Sequence, residues 1–145
     1  TIRPYYAADL DSLVSILQLN TPTFFAPEEE RDFIDYLRHE REDYFVVEQK
    51  GEILGSGGIN LKETGTVACI SWDLIRPDAQ GKGVGTALLK HRLTHISLNY
   101  HVKKVIVRTS QQAYGFYEKS GFTLLKITPN FWAKGFDLYE MELST

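Results

Sequence analysis

Three glycines, Gly81, Gly83 and Gly85, stand within five residues beside Lys82 and just before an apolar helical pattern: "RPDAQGKGVGTALLKHRL". A strand, a turn, glycines and then a helix expose backbone N–H groups at a helix N-terminus. Those groups and the positive end of the helix dipole bind anions, phosphate above all. Glycine lets the backbone approach a ligand with no Cβ in the way. Lys82 and Arg76 could add charge. A tight β-to-α turn could use the same glycines for geometry alone, so the loop by itself leaves both readings open.

Two familiar phosphate loops can be tested here. A Walker A loop needs glycine where Arg76 stands, and a Ser or Thr where Gly83 follows Lys82. A dinucleotide fingerprint needs glycine at Thr86 or Leu88, after the first strand of a parallel unit. Neither pattern fits. The histidines offer no better chemistry: His91 and His95 are four apart on one helix, but "HRLTH" lacks the glutamate of a zinc-protease helix. They read as a solvated helix face, and His39 and His101 as isolated polar residues. Cys69, the only cysteine, reads as a small core residue rather than a nucleophile, and it excludes an internal disulfide.

The elements that must position this loop follow from periodicity. Residues 7–20 and 28–40 carry helical spacing, with Leu10, Leu13, Val14 and Leu17 on the first face and Phe33, Ile34 and Leu37 on the second. "YFVVEQ" and "EILGSGGINL" read as strands joined at Lys50-Gly51, and "TVACISWDLI" follows a turn at Thr64-Gly65. A helix over about 83–100, the strand "VKKVIVRT", a short helix ending at Gly121, and the strands "FTLLKI" and "FDLYEMEL" complete the order. That order, β α α β β β α β α β β, predicts a single α/β domain over 1–145 with a mixed sheet.

Composition agrees: 145 residues with 43% hydrophobic and 24% charged residues suit one globular core. A net charge of −3 argues against a generic nucleic-acid partner and is compatible with an amine-bearing substrate. No apolar run reaches the ~20 residues of a membrane span, and "TIRPYYAADL" lacks a signal-peptide layout. With one cysteine, a cytoplasmic protein is expected.

The glycine stretch resembles the acetyl-coenzyme A loop of the GNAT superfamily of N-acetyltransferases, Gln/Arg-x-x-Gly-x-Gly/Ala. Here it reads Gln80-Gly81-Lys82-Gly83-Val84-Gly85, preceded by Ile75-x-Pro77. A second block, "AYGFYEKSGF", is similar to the superfamily's Ala-x-x-x-Tyr-Glu-Lys-x-Gly-Phe helix, and the element order matches throughout. The resemblance implies four helices on a mostly antiparallel sheet splayed at its centre. It also implies direct transfer of acetyl from acetyl-coenzyme A to a primary amine, a small molecule or a peptide, without metal. Residues 80–86, including Val84 and Thr86, would hold the pyrophosphate through the backbone. The main chain at Leu74 and Ile75 would face the pantetheine and thioester, and a homodimer is compatible with the resemblance.

By the same resemblance Tyr117 is the general acid, a phenol protonated at neutral pH. Packing is the alternative, since Ala113, Phe116 and Tyr117 share a face. Ser110 stands where the superfamily often has a cofactor-binding asparagine. Asp73, two and four residues from Ser71 and Cys69 on one expected strand face, is a candidate base or water-orienting group. Two aromatic loops would flank the acceptor: "TPTFFAP" with Phe24 and Phe25, beside Glu28, and "ITPNFWAKGF" with Phe131 and Trp132 between the last strands. The alternatives are that both loops cover the core edge or that the second forms a dimer contact. A non-catalytic acyl-CoA-binding module has the same loop but no need of a positioned acid.

Overall fold

The computed structural model describes residues 1–144. Its strands are β1 (Ile2–Pro4), β2 (Asp43–Gln49), β3 (Glu52–Lys62), β4 (Val67–Ile75), β5 (Lys104–Thr109), β6 (Thr123–Ala133) and β7 (Phe136–Ser144). The helices are α1 (Leu10–Leu19), α2 (Glu29–Asp35), α3 (Val84–Asn99) and α4 (Tyr114–Lys119). The strands form one sheet in the order β1-β2-β3-β4-β5-β7-β6. Every neighbouring pair is antiparallel except β4 and β5. Helices cover both faces. Ile59, Ile70, Leu88, Leu89 and Val107 fill the side under α3 and α4. Leu13, Leu17, Phe33, Val46 and Leu74 fill the side under α1 and α2. Among the described residues no helix is long and apolar enough to cross a membrane.

The sheet opens between its two parallel strands. Their ladder runs from Val67↔Lys104 to Ile70↔Val107, yet β4 continues to Ile75 and β5 to Thr109. A bulge drives the divergence. Gly58 pairs with Ser71 and Ser56 with Leu74, so Trp72 and Asp73 both stand against Gly57, with Trp72 at φ 50. An extra residue bends and twists its strand and reverses the side-chain alternation beyond it.

That reversal corrects one expectation. Asp73 does not share a face with Cys69 and Ser71; it points to the α3 side, where Arg92 and Tyr117 meet it. Two element boundaries also differ from the periodicity. The expected second helix narrows to α2 and continues as a wider turn over Tyr36–Glu40, closed by Arg41 N donating to Tyr36 O at 2.9 Å. The segment carrying Phe131 and Trp132 is not a loop but the end of β6, turning into β7 at Lys134-Gly135. Polar side chains close that hairpin: Asn130 Oδ1 accepts from Gly135 N at 2.7 Å, and Asp137 Oδ1 accepts from Asn130 N at 2.9 Å.

Candidate active site

One cavity of about 790 Å³ is lined by the glycine loop, by residues of β4 and β5 on both sides of their gap, and by the aromatic residues Phe24, Phe25, Trp72 and Trp132. At the glycine loop, α3 begins at Gly83, which takes φ 81 and caps the helix with its backbone. The first helical bond is Ala87 N to Gly83 O at 2.9 Å, so the N–H groups of Val84, Gly85 and Thr86 lie ahead of it. Nothing stands within 4 Å of where a Cβ on Gly83 would be. That open cradle of donors fits a diphosphate. Gln80, Gly81, Gly83, Gly85 and Thr86 all line the cavity, as do Ile75 and Ser110. Lys82 and Val84 do not, and Leu74 is buried in the core under α1 and α2, so any part it plays belongs to its main chain.

In the gap, Tyr117 from α4 is only 4% exposed yet lines the cavity. Its hydroxyl donates to Asp73 Oδ2. Burial, and then the Asp73 charge, push its pKa well above the ordinary phenol value, so the proton stays on the oxygen at neutral pH. Asp73 is not a free carboxylate. Arg92 of α3, wholly buried, meets it in a two-pronged ion pair, Nη1 to Oδ1 at 2.5 Å and Nη2 to Oδ2 at 2.9 Å. Nη1 also donates to Gly58 O at 3.1 Å, and Nε to Leu88 O at 3.3 Å. A Cβ on Gly57 would collide with Asp73 Oδ1 and come within 2.7 Å of Arg92 Nη1, so only glycine fits beneath the pair.

Another part of the lining is aromatic. Phe25 stacks on Trp72 with ring centroids 6.1 Å apart, and Phe33 and Tyr36 tilt against the same indole. Trp132 donates its Nε1–H to Thr109 O at 3.1 Å, which turns its ring into the cavity. Phe131 lies outside, 46% exposed, edge-on to Trp132 and under the Arg108 guanidinium. Besides Asp73, the acidic residues that line the cavity are Glu29 and Glu40, not the expected Glu28. Glu29 is buried, lines the cavity and accepts from Ala26 N at 2.7 Å, whereas Glu28 is exposed and does not line it. Burial raises the Glu29 pKa.

Sequence reasoning brought Gln80, Gly83, Ser110, Tyr117, Asp73, Phe24, Phe25 and Trp132 to one cavity. It missed Arg92, Gly57, Trp72 and Asn20. Two of these left a signal: Arg92 is a charge four residues from both Leu88 and Ile96 inside an apolar stripe, and "GSGG" is odd in a central strand.

Residues 18–145 match a family model described as an acetyltransferase (GNAT) domain. An N-alpha-acetyltransferase of Sulfurisphaera tokodaii is 28% identical, over 97% of this chain and 90% of that protein. The structure of the ribosomal-protein-S18-alanine N-acetyltransferase from Escherichia coli superposes with a TM-score of 0.82 at 23% identity, over 99% of this chain and 92% of that one. An aminoglycoside 6'-N-acetyltransferase complexed with coenzyme A gives 0.80 at 13% identity, over 99% and 96%.

Proposed function

Because the chain belongs to the acetyltransferase (GNAT) family and transfers acetyl from acetyl-coenzyme A to an amine, we propose that its acceptor is the α-amino group of a peptide with an apolar first residue. The observation that carries this reading is the aromatic cluster of Phe25, Trp72 and Trp132 in the cavity lining, with Phe25 stacked on Trp72. An apolar side chain gains there by leaving water, and a chain can extend from the open mouth. The relatives named for N-alpha-acetylation support the choice.

The bound cofactor supplies an activated acetyl thioester and a thiol leaving group. The N–H groups of Val84, Gly85 and Thr86 would hold its diphosphate, with Gln80 and Ser110 along the way. Tyr117 Oη is the proton source for the departing sulfur, since the phenol is protonated, faces the cavity and lies beside the gap between β4 and β5. Asp73 takes part by accepting from Tyr117, not as a free base. Cys69 is buried and unbonded to another cysteine, which suits a cytoplasmic setting.

The reading is tested by thioester consumption with four acceptors: a peptide beginning with an apolar residue, the same peptide with its α-amine blocked and a free lysine, a peptide with an acidic first residue, and a free polyamine. Turnover confined to the first would support it. Faster turnover with the polyamine or the lysine side chain would move the acceptor to another class.

A further inference from the structure

The Arg92–Asp73 pair is expensive as a stabilising device. Two charges taken from water recover their desolvation cost only with very good geometry, and apolar replacements of such pairs are often neutral or stabilising. Here the geometry is good and the surroundings are built for it: a fully buried guanidinium, two prongs on one carboxylate, a third donation to Gly58 O, and a glycine at 57 because no Cβ fits. The carboxylate is also the group that receives the Tyr117 hydroxyl and the one member of the pair that reaches the cavity, with its side chain 18% exposed.

We propose that Arg92 is a positioning residue for the reaction, acting through Asp73 to fix the Tyr117 hydroxyl and to support the negative charge left on it when its proton departs. This rests on the reading of Tyr117 as the acid. As the amine nitrogen bonds to the acetyl carbon and the thioester C–S bond breaks, the C–S electron pair goes to sulfur; the Tyr117 O–H turns from Asp73 Oδ2 to that sulfur, its O–H bond breaks and an S–H bond forms. A phenolate remains on Tyr117 until a proton from water or from the acylated amine restores it. That phenolate forms in contact with the Asp73 carboxylate, which alone would oppose it. The Arg92 charge behind the carboxylate offsets the opposition, and the Arg92 field does act on Tyr117 against that of Asp73. The two prongs have a second effect. They fix the plane of the carboxylate, so Oδ2 can hold the phenol oxygen at one place in the gap. Ring packing against Phe116 and Phe122 sets the rest of the side chain. Arg92 itself never reaches the cavity.

A structural pair and a positioning pair part company when both charges are removed together. In the double variant Asp73→Leu with Arg92→Met no charge is left unpaired, so melting temperature and coenzyme A affinity should hold close to those of the original enzyme. The positioning role predicts that kcat falls by about 10²-fold, the scale of a misplaced catalytic group, while acceptor KM stays nearly constant. Adding Tyr117→Phe to that background should then lower kcat by less than about threefold, because the acid is already out of use. A folded double variant with kcat within about threefold of the original, or one in which Tyr117→Phe still costs its full factor, overturns the proposal. Arg92→Lys tests the role again with the charge retained: loss of one prong should lower kcat part-way at unchanged coenzyme A affinity, and an unchanged kcat counts against the role. Tyr117→Phe in the original enzyme is the separate control. If it leaves kcat untouched, the acid reading itself fails, and the role of Arg92 with it.

Discussion

Gln80 donates from Nε2 to Oδ1 of Asn20 at 3.3 Å, so the first residue of the glycine loop is tied to the residue that closes α1. Asn20 is buried and every part of it is used. Its Nδ2 donates to Ile16 O at 2.9 Å and to Ile75 O, at the end of β4, at 3.0 Å. Its own carbonyl accepts from Phe24 N at 2.8 Å and Phe25 N at 3.2 Å. One side chain and one carbonyl therefore hold the cofactor loop, the end of the splayed strand and the aromatic acceptor segment in register.

Replacing Asn20 with Leu keeps the volume and removes the side-chain bonds. Leaving the buried partners unsatisfied costs about 1–3 kcal/mol, so the melting temperature should drop by several degrees. KM should rise for acetyl-coenzyme A, because Gln80 and the end of β4 lose their anchor, while acceptor KM should change less, because the Asn20 carbonyl that holds Phe24 N and Phe25 N is main chain and stays. Steady-state kinetics with each substrate varied would show it. A rise of equal size for both substrates would mean that the side-chain bonds also hold the acceptor segment.

Gly83→Val should abolish coenzyme A binding. The branched side chain would enter the open space ahead of α3, and the residue would have to hold φ 81, which L residues with a branched Cβ resist. Because nothing else touches that space, the fold should survive with a modest loss of stability. Calorimetry against coenzyme A is the measurement. Affinity within a few-fold of the original would falsify the assignment of the loop.

Much of this was legible in the sequence because it depended on local pattern. Glycines before a helix, an Ala-x-x-x-Tyr block and a Lys50-Gly51 turn are short-range signals, and each stands where it was expected. What was not legible depended on a single non-local event, the bulge at Trp72. Strict alternation placed Asp73 beside Cys69 and Ser71, and one extra residue in β4 sent it to the opposite face. Its partnership with Arg92, nineteen residues away in the chain, could not be read until that reversal was known. The length of β6 was hidden for a related reason: Pro129 and Asn130 look like loop residues, yet Asn130 at φ 54 sits in an irregular strand pair held by side chains.

Tyr117→Phe should reduce kcat by about 10² to 10⁴, the range for a lost general acid, with coenzyme A affinity little changed because the ring still packs on Phe116 and Phe122. Rapid-quench measurement of acetyl transfer separates this from slow product release. Unchanged turnover would make Tyr117 a packing residue and shift the acid role to water.

Buried phenols also set how stability responds to alkali. Burial holds the pKa values of Tyr44 and Tyr117 well above the ordinary value in the folded chain. In the unfolded chain both lose their protons near pH ~10. Above that pH the unfolded state binds fewer protons than the folded one, so stability must fall as pH rises. Their contribution is fully present below about pH 9 and declines beyond pH ~10. Melting curves from pH 8 upward should show that decline, and Tyr117→Phe should make it shallower. An identical slope in the variant would show that Tyr117 ionises as readily folded as unfolded.

The acceptor wall gives the last test. Trp132 and Phe131 are neighbours in sequence and in space, their rings edge-on at 5.0 Å in an irregular stretch of β6 with Arg108 over both, yet of the two Trp132 lines the cavity while Phe131 does not and is 46% exposed. Trp132 is also locked, because its indole N–H is bonded to Thr109 O at the end of β5. An apolar acceptor group resting on that ring would lose most of its contact in Trp132→Ala, a truncation worth about 1–3 kcal/mol at a buried aromatic contact. Acceptor KM should therefore rise at least several-fold while KM for acetyl-coenzyme A stays in place, since the cofactor's diphosphate would be held by the backbone N–H groups ahead of α3. Phe131→Ala should leave acceptor KM nearly unchanged, as its ring does not line the cavity. Both constants come from initial rates with one substrate saturating, and gel filtration of each variant reports the subunit state. If Trp132→Ala keeps its acceptor kinetics and changes oligomer size instead, the end of β6 is a subunit contact and the aromatic wall is reduced to Phe25 and Trp72.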